Sequence, residues 1–312
     1  MAFQDIVTIE QPQFYLEIAF SRANKRANVL RKNVKGTRLV KSRTIESNKL
    51  TIIQDVLRAK LDQILKSFPS LDDLTEFYKQ LIKATMEFGE IKRSLGAVNW
   101  AGMQISSLYK KYNMKILKCE DMSSINKYRT EFYGRVSSVL KQIKSNLKIL
   151  EDARRKLKDF PSIKSGLKTI AIAGFPNVGK TTLLYKLTGS KPEIASYPFT
   201  TKGINVGYMP VGNKKIQLLD TPGTLNRFEK MNNIEKAAYL AIKYAADSVI
   251  YVFDLTEPYP LDVQKKLYDK VKRLKPTEKY YSKNDIIDKK ILDKHSGIKS
   301  VKELKQFLSA KN

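Results

Sequence analysis

The chain has 312 residues, 42% hydrophobic and 29% charged, a globular composition with room for about two domains that each bury a core. Its single cysteine, Cys119, excludes an intramolecular disulfide, and its single histidine, His295, excludes any site or mechanism that needs two imidazoles. Lys and Arg number 58 against 31 Asp and Glu, a net charge of +27, so a large polyanion is the first partner to consider.

The first residues, MAFQDIVTIE, lack the basic start and apolar stretch of a signal peptide, and no apolar run reaches about 18 residues. A cytoplasmic protein is therefore expected. From Phe14 to Phe160 apolar residues recur at three and four positions, and only Pro12 and Pro69 precede Pro161. The periodicity predicts helices over 12–30, 46–67, 71–93, 97–118 and 122–159. In FPSLDD, Pro69 stops one helix, Ser70 is expected to cap the next, and Asp73 favours its positive end. The stretch between Ala19 and Ile45 carries Arg22, Lys25, Arg26, Arg31, Lys32, Lys35, Arg38, Lys41 and Arg43 without one acid. A solvated helix face usually mixes signs, so this run is read as a phosphate-contacting RNA surface. Acid-free stretches at 91–119 and 132–150 are weaker versions of the same signal. Trp100 and the tyrosines of 109–133 fall at helical spacing and are expected in the core.

FPS at 160–162 ends the last long helix, and after Gly166 the pattern changes to short β-branched runs alternating with helical segments. Strands are expected at 169–173, 204–211, 215–220 and 248–255, with a short one ending near Tyr281. Helices are expected at 180–188, 233–244, 261–273 and 301–308. Val-Gly-Asn-Lys at 211–214 is a hairpin turn, so one antiparallel pair belongs to an otherwise parallel sheet. The predicted fold is an all-α helical bundle over 1–165, followed by an α/β P-loop domain over 166–312 with a mostly parallel six-stranded sheet. Both parts share the positive excess, with 32 basic and 17 acidic residues in 1–165 and 26 and 14 in 166–312.

GFPNVGKT at 174–181 has the G-x-x-x-x-G-K-[ST] spacing and stands between the TIAIA strand and an amphipathic helix, the context that motif requires. Gly174, Phe175, Pro176, Asn177, Val178 and Gly179 form a loop whose amides curl around phosphates. Lys180 reaches the β and γ oxygens, Thr181 offers its hydroxyl to Mg²⁺, and Thr182 follows at the helix start. DTPG, comprising Asp220, Thr221, Pro222 and Gly223, closes a strand. Asp220 can hold the Mg²⁺ through water, and the Gly223 amide can turn toward a γ-phosphate that exists only before hydrolysis. The segment after it would then act as a switch. In YPFTTKG at 197–203, Thr201 is chosen to complete the magnesium shell, with Thr200 the alternative. After the last strand stand Ser282, Lys283, Asn284 and Asp285. Asp285 can accept two hydrogen bonds from a guanine edge while the Lys283 stem lies across the ring, which selects GTP because adenine offers no such donor pair. Serine replaces the usual asparagine in first place, with less reach toward the phosphate loop. The last nucleotide-contacting loop is expected around Lys294 to Gly297.

The order GFPNVGKT, YPFTTKG, DTPG, SKND resembles the Obg-related GTPases. RANKRANVLRKN, FPSLDDLTEFYKQLI, RSLGAVNWAG and LEDARRKLKDFPSI, leading into the phosphate loop, narrow the resemblance to the NOG family of nucleolar GTP-binding proteins and their archaeal relatives. The resemblance implies a GTPase of large ribosomal subunit assembly that binds GTP or GDP with Mg²⁺ and contacts rRNA of the subunit or its precursor. The sequence stops soon after the last predicted helix, so a compact, archaeal-type form is expected. Catalytic roles fall to Lys180, Thr201, Gly223 and Asn177. Thr224 and Leu225, not a glutamine, follow Gly223, so slow intrinsic hydrolysis is expected, accelerated by a partner or a cation. Related GTPases with asparagine at the position of Asn177 hold a K⁺ ion beside the β and γ phosphates. No DNA partner is expected, and the protein is expected to be a monomer. The alternatives are a peripheral membrane GTPase using the basic stretch on anionic lipid, disfavoured because 22–43 lacks aromatic anchors, and an ATP-dependent RNA factor, kept open only by Ser282.

Overall fold

The structure, a computed structural model, describes residues 3–164, 166–189, 193–195, 204–221, 233–256 and 259–311. The chain forms two compact units: one of residues 3–73 and 87–158, the other of residues 74–86 and 159–312.

The first unit is all helical. Its helices are α1 (Pro12–Asn33), α2 (Arg38–Ser67), α4 (Phe88–Leu117), α5 (Met122–Gln142) and α6 (Lys144–Lys158), while α3 (Glu76–Thr85) belongs to the second unit. Pro12 opens α1 at a position where a missing N–H costs nothing, and Pro69 follows the end of α2 as expected. Three boundaries differ from the periodicity. First, α2 begins eight residues early, because Gly36 (φ 118°) makes the turn and the Thr37 hydroxyl accepts from the Val40 amide. Second, no helix runs over 71–93: Ser70 only closes a turn with Asp73, and Met86 adopts extended backbone between α3 and α4. Third, Ile143 leaves helical geometry with its side chain buried, dividing the expected 122–159 helix in two. Leu50, Ile53, Leu57 and Leu61 from α2 meet a core that holds Val98, Ala101, Ile105 and Ile116 from α4 and Phe132, Val136 and Leu140 from α5. Tyr112 is buried as expected, but Trp100 is 37% exposed.

The second unit is a twisted sheet with β1 (Thr169–Ala173), β2 (Glu193–Ala195), β3 (Ile204–Val211), β4 (Lys214–Asp220), β5 (Ser248–Phe253) and β6 (Thr277–Tyr281). Five strands have five or more residues; the sixth, three-residue β2, pairs only at one edge. The order is β2-β3-β4-β1-β5-β6, with β4, β1, β5 and β6 mutually parallel and β2, β3 and β4 antiparallel. The hairpin turns at Gly212 (φ 56°) and Asn213, as read from 211–214. Strand β1 is buried along its whole length, as a central parallel strand must be. The helices are α7 (Lys180–Thr188), α8 (Asn233–Leu240), running into a π-helical turn over Ala241–Ala245, α9 (Leu261–Lys272), the short α10 (Lys289–Leu292) and α11 (Val301–Ala310). Neither β2 nor α10 was expected.

Helix α3 (Glu76–Thr85) belongs to this second unit although it lies far upstream in sequence, so the units do not follow a single cut at 165/166. The reason is its strongly one-sided apolar face. Phe77, Tyr78, Leu81 and Ile82 are buried, and α3 packs on α8 and the π-helical turn. The Tyr78 hydroxyl donates to the Pro161 carbonyl (2.9 Å) and accepts from the Ile163 amide (2.9 Å), tying α3 to the segment that enters β1.

Candidate nucleotide-binding site

The parallel strands β1, β4, β5 and β6 all end on one side of the sheet, where ligands of open α/β folds bind. At the end of β1 the chain turns through Gly174 (φ 149°), where a Cβ would stand 2.7 Å from the Val252 carbonyl oxygen, so only glycine fits. Asn177 (φ 62°) and Gly179 (φ 92°) take left-handed backbone, and α7 starts at Lys180. Phe175 and Val178 point into the core, Asn177 is exposed at the loop, and the Phe175 ring lies 4.5 Å from that of Tyr259. Buried Lys180 donates from Nζ to the Phe175 carbonyl at 2.7 Å, so its ammonium sits within the loop. The ammonium thus lies at the N-terminus of α7, where the free amides of the first turn and the positive end of the helix favour phosphate.

Asp220, the last residue of β4, is buried beneath the loop. Its Oδ2 accepts from the Thr181 hydroxyl at 2.6 Å and from Asn205 Nδ2 at 3.0 Å. Burial pushes its carboxyl up, opposed by the Thr181 bond, the nearby Lys180 charge and the Asn205 bond. A buried carboxylate beside a hydroxyl is a hard oxygen pair of the kind Mg²⁺ takes alongside water and phosphate oxygens, so these residues fit that ion. The Thr221 hydroxyl donates to the Ile172 carbonyl (2.8 Å), so its side chain braces β1 rather than facing the loop. Thr182 is exposed at the start of α7. Thr200, Thr201, Pro222 and Gly223 lie outside the described residues, as does Ser165 at the expected domain boundary.

After β6, Ser282 is buried next to the phosphate loop: its Cβ lies 3.8 Å from where a Cβ on Gly179 would be. Its hydroxyl donates to the Phe253 carbonyl at 3.1 Å, so the bond expected toward the phosphate loop goes to the end of β5. Lys283 takes left-handed backbone (φ 55°), the Asn284 amide nitrogen donates to the Lys299 carbonyl, and Asp285 is exposed. The segment expected to carry the last loop returns to the same place. Ile298 bridges Tyr280 in parallel, Gly297 (φ 148°) leaves no room for a Cβ against Lys279 and Tyr281, and the His295 ring lies 5.6 Å from that of Tyr281. Ser282 thus stands beside the phosphate loop, while residues 295–298 lie along β6, the strand that leads into it.

Three further residues belong to the site. Asn205 stands opposite Asp220 in the β3–β4 register, and counting back pairwise from the 211–214 turn would have found it. Asp254, the acid directly after the apolar strand β5, is buried at 1% exposure and pairs with Lys283 at 2.6 Å. Gln264 on α9 is fully buried, and its amide accepts from the Asp254 backbone N–H and donates to the Asp254 and Tyr259 carbonyls.

A phosphate loop, a buried acid at the end of β4 and an aspartate-bearing loop after β6, on a mostly parallel sheet with helices, define a P-loop nucleotide-binding protein of the GTPase type. The NOG1 N-terminal helical domain matches residues 3–164, and the 50S ribosome-binding GTPase matches residues 169–287. The chain belongs to the NOG1 family of P-loop GTPases. It is 38% identical to an uncharacterized protein of Methanocaldococcus jannaschii, with 92% of this chain and 81% of that one covered. It is 30% identical to nucleolar GTP-binding protein 1 of Saccharomyces cerevisiae, over 97% of this chain but 48% of the yeast protein, and so spans about half of such eukaryotic relatives. Among solved structures, the G domain of the T. maritima FeoB iron transporter is 31% identical over 42% of this chain and 84% of that one, with a TM-score of 0.35.

Proposed function

We propose that this protein binds GTP with Mg²⁺ and hydrolyses it to GDP and phosphate, as a switch in assembly of the large ribosomal subunit. The observation that carries the reading is the Thr181 hydroxyl bound at 2.6 Å to the buried Asp220 carboxylate, directly under the loop that holds Lys180. Thr181 and Asp220, joined by Thr201, would hold the Mg²⁺, which when bound offsets negative charge on the β and γ phosphates. Lys180 and the loop amides of 174–181 orient the phosphates, and the Gly223 amide contacts the γ-phosphate. Lys283 and Asp285 select guanine. Thr224 and Leu225, and not a glutamine, follow Gly223 in the sequence, so hydrolysis is slow until a partner, or a K⁺ ion held by Asn177, supplies charge or order.

Residues 1–165 supply the ribosome-binding part and 166–312 the GTPase part, with α3 packed in the latter. Eight of the nine basic residues, all but Arg43, are exposed, and none forms an ion pair with a described residue. They are available for rRNA phosphates. The descriptions of the matched families and of the eukaryotic relatives support a ribosomal setting, and the protein works in the cytoplasm as a monomer. No described helix is long and apolar enough to cross a membrane, and no observation favours the lipid-binding alternative.

The test is co-sedimentation with purified large subunits or their precursors at physiological salt. Preferential binding with a non-hydrolysable GTP analogue over GDP is expected. Equal binding in the two states overturns the switch, and no binding in either overturns the ribosomal reading.

A further inference from the structure

We propose that Asp254 is a positioning residue for guanine recognition: it anchors the Lys283 ammonium so that the lysine stem is laid out beside the base, doing the work left undone by serine at position 282. The inference rests on the guanine-binding reading above. Asp254 directly follows β5 and Lys283 follows β6, neighbouring parallel strands whose ends open on the same side of the sheet.

A carboxylate at 1% exposure needs fixed partners to stay ionised. Asp254 has them on both oxygens. Oδ1 accepts from the Thr256 amide (2.9 Å) and hydroxyl (2.6 Å), and Oδ2 pairs with Lys283 Nζ at 2.6 Å. Burial works against the charged form, but Lys283 and Thr256 outweigh it and hold the carboxyl below its ordinary value. The backbone of Asp254 is fixed as well, since the buried Gln264 amide accepts from its N–H at 3.0 Å and donates to its carbonyl at 2.7 Å. The carboxylate is therefore a rigid post, and the lysine is the movable partner.

Lys283 needs such a post. It is a non-glycine residue in left-handed backbone, a conformation that persists only where its surroundings hold it. Ser282, at the first position of this loop, spends its hydroxyl on the Phe253 carbonyl. The Lys283–Asp254 pair thus ties the base-side loop to the end of β5. With its ammonium held at the strand end, the four-carbon stem spans outward, and its side chain remains 34% exposed, able to pack against a ring.

The experiment is a double-mutant cycle on GDP affinity by calorimetry, with ADP as the control ligand, using wild type, Asp254→Asn, Lys283→Met and the double variant. Wild type is expected to prefer GDP. Asp254→Asn should weaken GDP binding about 10- to 100-fold, the range for losing a charge-assisted bond. In the Lys283→Met background the same change should add less than about twofold, because the two residues act as one unit. A fully additive cycle, or an Asp254→Asn variant that binds GDP like wild type, overturns the inference alone. Wild type without preference for GDP over ADP overturns the guanine reading and this inference with it. If Asp254→Asn does not fold, acetylation of nucleotide-free wild type decides: Lys283 should react several-fold more slowly than exposed Lys289, and equal rates overturn the pairing.

Discussion

Asn205 and Asp220 face each other across the antiparallel β3–β4 pair, and the Asn205 amide nitrogen donates to the same carboxylate oxygen that accepts the Thr181 hydroxyl, at 3.0 Å. The carboxylate is thereby aimed from the strand beside it. Outer partners of this kind commonly change metal affinity tenfold or more when removed. Asn205→Ala is expected to raise the Mg²⁺ concentration for half-maximal nucleotide binding about tenfold. It should also cost about 1 kcal/mol of stability through the lost bond. A Mg²⁺ titration with a fluorescent guanine nucleotide checks it, and an unchanged midpoint would show that Asp220 needs no such support.

Gly174 combines a φ of 149° with a Cβ position 2.7 Å from the Val252 carbonyl oxygen. Gly174→Ala therefore displaces the phosphate loop from β5, at a cost of about 2–4 kcal/mol. Thermal melting should drop, and the stabilisation normally given by GDP should disappear. A variant with the wild-type melting temperature would contradict the close approach.

In the helical unit, Glu151 is held at a pKa of about 2, chiefly by Arg154, against burial, with Arg155 and the Ile9 amide assisting. A carboxyl depressed in the folded state adds stability above its unfolded pKa, near 4.3, and loses it as pH falls toward 2. Glu151→Gln should thus destabilise the unit by about 2 kcal/mol at pH 7, while the difference from wild type fades below about pH 4. Urea titrations at the two pH values measure it, and a pH-independent difference would assign the effect to packing.

Neutralising Arg31, Lys32 and Lys35 together should weaken rRNA binding and flatten its dependence on salt by about two to three in the log-log slope. These three residues are exposed at the end of α1 and just beyond it, all before the turn at Gly36. Binding with an unchanged slope would move the RNA surface elsewhere.

Hydrolysis measured in K⁺ and in Na⁺ addresses Asn177, exposed in left-handed backbone at the phosphate loop. A severalfold higher rate in K⁺, lost in Asn177→Ala, is expected from a cation that offsets developing charge. Equal rates in the two salts would dismiss the ion.

What could be read from the sequence was local or could be counted. The phosphate loop depends on spacing within eight residues, and the hairpin at 211–214 fixes by simple counting that Asn205 meets Asp220. The bonds among Asp254, Gln264 and Lys283 could not be read, because they join a strand end, a helix and a loop brought together only by packing. Helix breaks at Met86 and Ile143 escaped for a related reason: both residues are apolar and continue the pattern, and tertiary packing bends the chain there. Periodicity also shows that α3 has an apolar face without showing which unit that face will join.

The placement of α3 has a consequence for the newly made chain. Its partners α8 and the π-helical turn are synthesised roughly 150 residues later, a delay of about 10–30 seconds at usual translation rates. Throughout that interval Phe77, Tyr78, Leu81 and Ile82 have no place to be buried in their own unit. A nascent chain in this state is an adhesive intermediate, and a fragment starting at residue 166 would leave the mirror-image problem, a groove without its plug. Any effort to express the nucleotide-binding half by itself should therefore supply residues 74–86 as a separate strip of chain.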